Sequence, residues 1–290
     1  MGAVYRHELS SHFSGLTGFV FGAFLLLFCG IFTVYYNIQQ AYANFELALG
    51  NTYMALVYVI AIPILTMRTI AEERKQKTDL LLYSLPLSMT QVVLGKYLAM
   101  LTVLVIPTLI MALYPVLLGA YGAMNLSIAL CVLFGFFLLG AALLAMGLFV
   151  SAMTESQAVS AGLCFVVMLA NYFIYDLASM VGNTPFASYG AFAVALAVLC
   201  YPVYRFIKNE TVCMLLGGLA EGILLICYQA EPSRFSGAFG KLIGKLSLFE
   251  RFYDFVLGIL DVKSILYLAS VCVLFVVLTV QTMEKRRWSE

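Results

Sequence analysis

The sequence predicts an all-α integral membrane protein. The expected architecture is a polytopic bundle of about eight transmembrane helices, with an interfacial helix at the N-terminus and an amphipathic helix on the outer face. Three observations carry this expectation. Mean hydropathy is +0.99, and only 11% of the residues are charged, against about a quarter in soluble domains. The 58 residues from Tyr97 to Thr154 contain no Asp, Glu, Lys or Arg. The charges are instead concentrated, with Arg68, Glu72, Glu73, Arg74, Lys75, Lys77 and Asp79 falling within twelve positions. That contrast marks a boundary between lipid and water.

A helix needs about 20 mostly apolar residues to cross the hydrocarbon core. Eight stretches approach or exceed that length: roughly 17–36, 53–70, 95–119, 127–152, 157–180, 188–206, 210–229 and 264–283. Only the turn-prone Gly119–Gly122 and Asn125 region separates the third from the fourth. The sixth and seventh are the weakest, because the gap Tyr204–Glu210 is short and Glu221 interrupts the seventh. Ahead of the first span, Met1–Ser14 contains Arg6, His7 and Glu8 and no cleavage site of small residues after a short apolar core. The first helix is therefore expected to be retained, and this segment to lie along the inner membrane surface.

Lysine and arginine in short loops set the orientation. With both termini cytoplasmic, Arg6, the segment 68–96, Arg205, Lys208, Lys285, Arg286 and Arg287 all fall inside, which accounts for eleven of the sixteen basic residues. The five exceptions, Arg234, Lys241, Lys245, Arg251 and Lys263, share the stretch 231–263. There Phe235, Phe239, Leu242, Leu246, Phe249, Phe252 and Val256 recur at three- and four-residue steps. This pattern predicts one amphipathic helix, or two broken near Ser247, lying in the outer interface plane. It serves as a lipid platform, or as a lid or docking surface for an extracellular accessory partner or cargo. Without a soluble domain or a convincing internal repeat, residues 1–290 read as one membrane domain.

Several chemistries are disfavoured by spacing. A net charge of +1 gives no reason to expect nucleic acid as a partner. The seven cysteines include no C-x-x-C pair, so no metal site is indicated. A phosphate-cradling G-x-x-x-x-G-K-[ST] loop is absent, so ATP hydrolysis is not expected of this chain. His7 and His12 flank Glu8 but stand five apart, about 100° out of register for a shared helical metal site. The paired Glu72 and Glu73 resemble those of CAAX-type intramembrane proteases. There, however, an arginine follows four places after the second glutamate, where this chain has Lys77, and no span holds a histidine.

Charges within spans are candidates for function by default. Asp176 falls near the outer end of the fifth span and Glu221 deeper in the seventh. Each is read either as a solvated or helix-bonded side chain or as a cargo contact. Gly18 and Gly22, and the small residues Gly135, Gly140, Ala141, Ala142, Ala145 and Gly147 of the fourth span, permit close helix approach.

The segment from Arg68 to Lys96 is the most informative. Residues 71–78 are polar and helix-favouring, Leu80–Leu82 follow, Ser84-Leu85-Pro86 stops the helix, and Ser88 starts the next one. The result is a rigid knuckle at the inner surface. Its residues Glu72, Glu73, Arg74, Thr78, Leu81, Leu82, Ser84 and Pro86, followed by the re-entry pair Gly95 and Lys96, resemble the cytoplasmic motif of ABC-2-type transporter permeases. The likeness is greatest to the branch of the gliding-motility and nitrous-oxide-reductase-maturation permeases. Ser151–Gln157, with Thr154 and Glu155, resembles that family's second inner turn, and the tail from Phe249 to Trp288 its last outer helix and terminal span. Two departures stand out. Lys77 replaces a frequent glycine, and the pair 188–229 reads as an insertion into a six-span core.

The resemblance implies a non-catalytic permease half-unit in a bacterial cell membrane, with an exporting role. It would pair with a second copy or a sister permease and with a dimer of separate ATP-binding subunits that hold ATP and Mg. Those subunits would dock against Glu72–Pro86, and their closure would tilt the first, second and fifth spans. The alternatives are an ATPase-driven scaffold acting on an extracellular partner and, behind it, a self-sufficient secondary carrier.

Overall fold

The computed structural model of the chain describes residues 1–40, 42, 44–78, 88–122, 124–180, 184–207 and 210–287. Among them there is no strand. The helices are α1 (Gly2–Ser14), α2 (Thr17–Thr33), α3 (Glu46–Leu49), α4 (Thr52–Thr66), α5 (Ala71–Lys75), α6 (Met89–Met111), α7 (Leu113–Tyr121), α8 (Leu126–Met153), α9 (Gln157–Met180), α10 (Pro185–Ile207), α11 (Glu210–Ala230), α12 (Ala238–Leu246), α13 (Leu248–Val256) and α14 (Val262–Arg287). The chain divides into two compact units, one of residues 1–172 with 251–290, the other of residues 173–250.

Among the described residues six helical stretches are long and apolar enough to cross a membrane: Thr17–Gln39, Thr52–Lys75, Met89–Ala120, Leu126–Met153, Gln157–Ile174 and Val262–Arg287. The chain is a multi-pass, all-α membrane protein. The expected sixth and seventh spans form α10 and α11, but their described apolar stretches, Pro185–Leu196 and Gly217–Ala230, are shorter. At 1.5 Å per residue the whole helices, 23 and 21 residues long, match a hydrocarbon core of about 30 Å.

Capping explains where several helices begin. The side chains of Asn51, Ser88 and Asn125 accept hydrogen bonds from the backbone N–H groups of Met54, Gln91 and Ile128, satisfying donors that a helix start leaves open. The first unit is built around α4 and α8, in whose apolar windows 72% of the residues are buried, whereas the windows of α9 and α14 bury 17% and 22%. The outer helices therefore present wide apolar faces to their surroundings.

The small residues of α8 are consumed within this unit. A Cβ at Gly135 would lie 2.5 Å from Phe255, one at Gly140 2.8 Å from Leu104 and Tyr58, and one at Gly147 2.6 Å from Thr66. Tyr58 fills the space over Gly140, stacks on Phe136 and donates a hydrogen bond to the Phe136 carbonyl at 2.9 Å. The small face thus admits side chains of the same chain.

The second unit contains α10, α11 and α12. Tyr189 stacks on Tyr228, and Phe192 meets Phe235 and Phe239 edge-on. The expected amphipathic stretch is two helices interrupted at Ser247, which takes an extended conformation and ends α12. Its Oγ accepts a hydrogen bond from the Glu250 N–H and so starts α13. The break near Ser247 thus has a capping cause.

Candidate functional site

Within the first unit the ends of α1, α4, α5, α6 and α8 meet. The junction is organised around Lys96, in the second turn of α6 and 1% exposed. Its Nζ donates to Glu8 Oε1 on α1 at 2.6 Å, to Glu73 Oε1 on α5 at 2.6 Å and to the Thr69 carbonyl at 2.9 Å. An ammonium has three N–H donors, and all three are used. A buried charge survives only when it is paired and hydrogen-bonded, and here one cation holds three segments that are distant in sequence.

Close backbone approach makes this reach feasible. At Gly95 a Cβ would meet Val4 at 3.1 Å, so the glycine lets α1 lie against α6 and brings Glu8 beside Lys96. Tyr5 and Thr102 join the same two helices through their hydroxyls, 3.0 Å apart. The residues that α1 buries are Glu8 and His12, one helical turn apart, whereas His7 is exposed. The N-terminal helix is therefore seated by a polar face. Burial holds the His12 imidazole below the usual histidine value, reinforced by the Lys96 ammonium and opposed by the Glu8 carboxylate.

A second tie runs from α5 to the end of α8. The N–H groups of Ile70 and Ala71 both donate to Ser151 Oγ, at 3.2 and 3.1 Å. Arg74, 7% exposed, donates from Nη1 to the Thr154 carbonyl at 3.3 Å. Glu155, beside it, is exposed and pairs with Arg286 of α14 at 3.1 Å.

The short helix α5 ends with a defined geometry. The Thr78 N–H bonds to the Glu73 carbonyl at 2.9 Å and the Lys77 N–H to the Arg74 carbonyl at 3.0 Å, the paired bonds of a Schellman C-cap. That motif needs a left-handed residue, and Lys77 supplies it with φ 57°. Glycine adopts this conformation without the Cβ penalty, which is a physical reason for the glycine that the motif often carries there.

The predicted site residues therefore separate. Glu73, Arg74, Gly95, Lys96 and Thr154 come together in a buried joint, with Thr78 closing α5. Glu72 lies on the outside, 40% exposed and 3.9 Å from Arg68. Leu81, Leu82, Ser84 and Pro86 lie outside the described residues. Asp176 and Glu221 belong to the second unit and are exposed. The sequence reading named Glu8 and Ser151 without assigning them to this joint, and it did not single out Thr69. The available signal was Lys96 itself, a cation within an apolar span that needed a carboxylate.

A cleft of about 720 Å³ opens beside the joint, its walls including Glu8, His12, Arg68, Glu72, Glu73 and Lys96. Hydroxyl groups of Ser11, Ser14, Thr17 and Thr78 also line it. The arrangement is mechanical in character: a satisfied charge cluster joins helix ends, with an acidic, partly exposed residue at its rim.

Comparison with curated proteins finds no match. The family described as ABC-2 family transporter protein matches residues 4–286, a range that takes in most of the α1 helix, the Lys96 joint and nearly the whole of the six membrane-crossing stretches found among the described residues. The permeases of that family normally work with a separate ATP-binding subunit, and the chain belongs to it: this is an ABC-2 family transporter protein.

Proposed function

We propose that the chain is the membrane-spanning permease subunit of an ATP-driven exporter in a bacterial cell membrane, with both termini cytoplasmic. ATP and Mg are held by a dimer of separate ATP-binding subunits, and the permease pairs with a second copy or a sister permease. The observation that carries this reading is the joint at Lys96. A subunit that converts an external push into helix motion needs a stiff connection between the contacted segment and the spans. The bonds of Lys96 to Glu8, Glu73 and Thr69 provide it.

The reading divides labour between the two adjacent glutamates. Glu72, partly exposed, is the one that meets the ATP-binding subunit. Glu73, committed to Lys96, passes the push to α6 and α1. The test is affinity purification of the tagged full chain from native membranes in mild detergent. Recovery of an ATP-binding subunit with wild-type protein, and its loss from a monodisperse Glu72→Lys variant, is the expected result. Recovery of the wild-type chain with no ATP-binding subunit overturns the proposal. Retention of that subunit by Glu72→Lys removes Glu72 from the docking surface.

A further inference from the structure

The buried polar face of α1 holds one group that the joint does not use. His12 is 5% exposed, lines the cleft, and its Nε2 is buried without a hydrogen-bond partner. Glu8 lies one turn earlier on the same face, a spacing at which side chains meet. Glu8 is also the residue through which α1 is tied to Lys96. The cluster of Glu8, Glu73 and Lys96 carries two carboxylates for one ammonium, so it has a formal negative charge in excess. A buried imidazole next to that excess is a place where a proton can be taken up.

We propose that His12 is a proton-binding site that controls the seating of α1 on α6. With His12 neutral, Glu8 is held by Lys96 and α1 is docked. When the imidazole takes one proton from water in the cleft, it becomes a donor that competes with Lys96 for the Glu8 carboxylate. Glu8 then exchanges a bond between helices for one within its own helix. Lys96 keeps Glu73 and the Thr69 carbonyl, so the rest of the joint persists while α1 is released.

The other groups facing this position are consistent with such an exchange. From α6 the charged neighbour is Lys96, which opposes a second cation. From α5 it is Glu73, already bonded to Lys96. Arg68 and Glu72 stand across the cleft as an exposed pair, and the N-terminal turns of α2 contribute no charged side chain. Burial makes the charged imidazole costly where it sits, so uptake of the proton favours the undocked position, where water reaches the ring. The sign follows: docking is complete above the ordinary histidine value near 6.5 and is lost as pH falls below it toward the lowered value.

The test uses the full chain in lipid nanodiscs. The chain has only two histidines, so nitrogen-15 histidine NMR resolves His12, with its signal assigned by its loss in His12→Gln. His12 is expected to titrate below the ordinary histidine value near 6.5. Hydrogen exchange of residues 2–14, corrected for intrinsic rates and compared with α4, is expected to accelerate on acidification from pH 7.5 to 5.5. One coupled proton limits that acceleration to about tenfold per pH unit. In His12→Gln the corrected exchange of α1 should be independent of pH. Titration of His12 at or above the ordinary histidine value near 6.5 overturns the proposal, as does an equal acid response in wild type and His12→Gln. If His12→Gln fails to fold, the wild-type titration and wild-type exchange still decide.

Discussion

Replacing Lys96 by methionine tests the joint with little change in side-chain length, so cavity formation contributes little to the outcome. In the wild type two carboxylate oxygens each lie 2.6 Å from Nζ. At an effective dielectric constant of about 20, each contact is worth roughly 6 kcal/mol of Coulomb attraction. Taking the ions out of water costs several kcal/mol each, which offsets most of that gain. Lys96→Met keeps the desolvation cost of the two carboxylates and removes the gain, leaving Glu8 and Glu73 facing each other with the Thr69 carbonyl unpaired. Breaking a buried pair in this way typically costs about 3–5 kcal/mol. The readout is thermal unfolding of the purified chain in mild detergent at pH 7.5, where a drop on the order of 10 °C is expected. Neutralising the orphaned carboxylates in the triple variant Lys96→Met, Glu8→Gln, Glu73→Gln should recover most of the loss. A single variant that melts within about 2 °C of wild type would refute the reasoning. So would a triple variant no more stable than the single one, because the penalty would then not come from unpaired carboxylates.

Two further outcomes follow from the geometry of α5. Lys77→Gly should stabilise the chain by up to about 1 kcal/mol, because it removes the Cβ from a left-handed position, whereas Lys77→Ala should not; paired thermal melts separate the two. Ser151→Ala should cost about 1–3 kcal/mol by leaving the buried Ile70 and Ala71 N–H groups unpaired. Ser151→Cys should recover only part of this, since sulfur is a weak acceptor, and the same melts measure it.

Much of the fold was legible because lipid imposes a length rule. Among the described residues six of the eight expected stretches appear as helices long and apolar enough to cross a membrane, and the third begins at Met89 rather than at residue 95 because Ser88 caps it there. The break at Ser247 could be read from its position between two apolar-periodic runs. The joint was only half legible. Glu73, Arg74, Lys96 and Thr154 were marked by composition and motif, but the bonds of Lys96 to Glu8, of Ile70 and Ala71 to Ser151 and of Arg74 to Thr154 join residues 88, 81, 80 and 80 positions apart. No local periodicity encodes such a pairing. The seating of the N-terminal segment was hidden for a related reason: the bundle supplies Lys96 as a buried partner for Glu8, a contact that nothing in residues 1–14 announces.

The placement of these bonds constrains how force could travel from α5 under the proposed function. A helix of only five residues has little stiffness of its own, since isolated turns are unstable without tertiary support. Its support comes from both sides. The Ser151 and Arg74 bonds fix it to the end of α8, one of the two central helices, and the Glu73 bond fixes it to α6 and, through Lys96, to α1. A displacement of α5 must therefore either carry α6, α8 and α1 with it or break charge-assisted bonds in a buried setting, which is the costlier course. Movement as a block is favoured, and the compliant element of the block is α1, which Lys96 holds through Glu8 alone. The release at His12 would act at that element, so acidification would uncouple α1 while leaving the α5–α6–α8 connection intact.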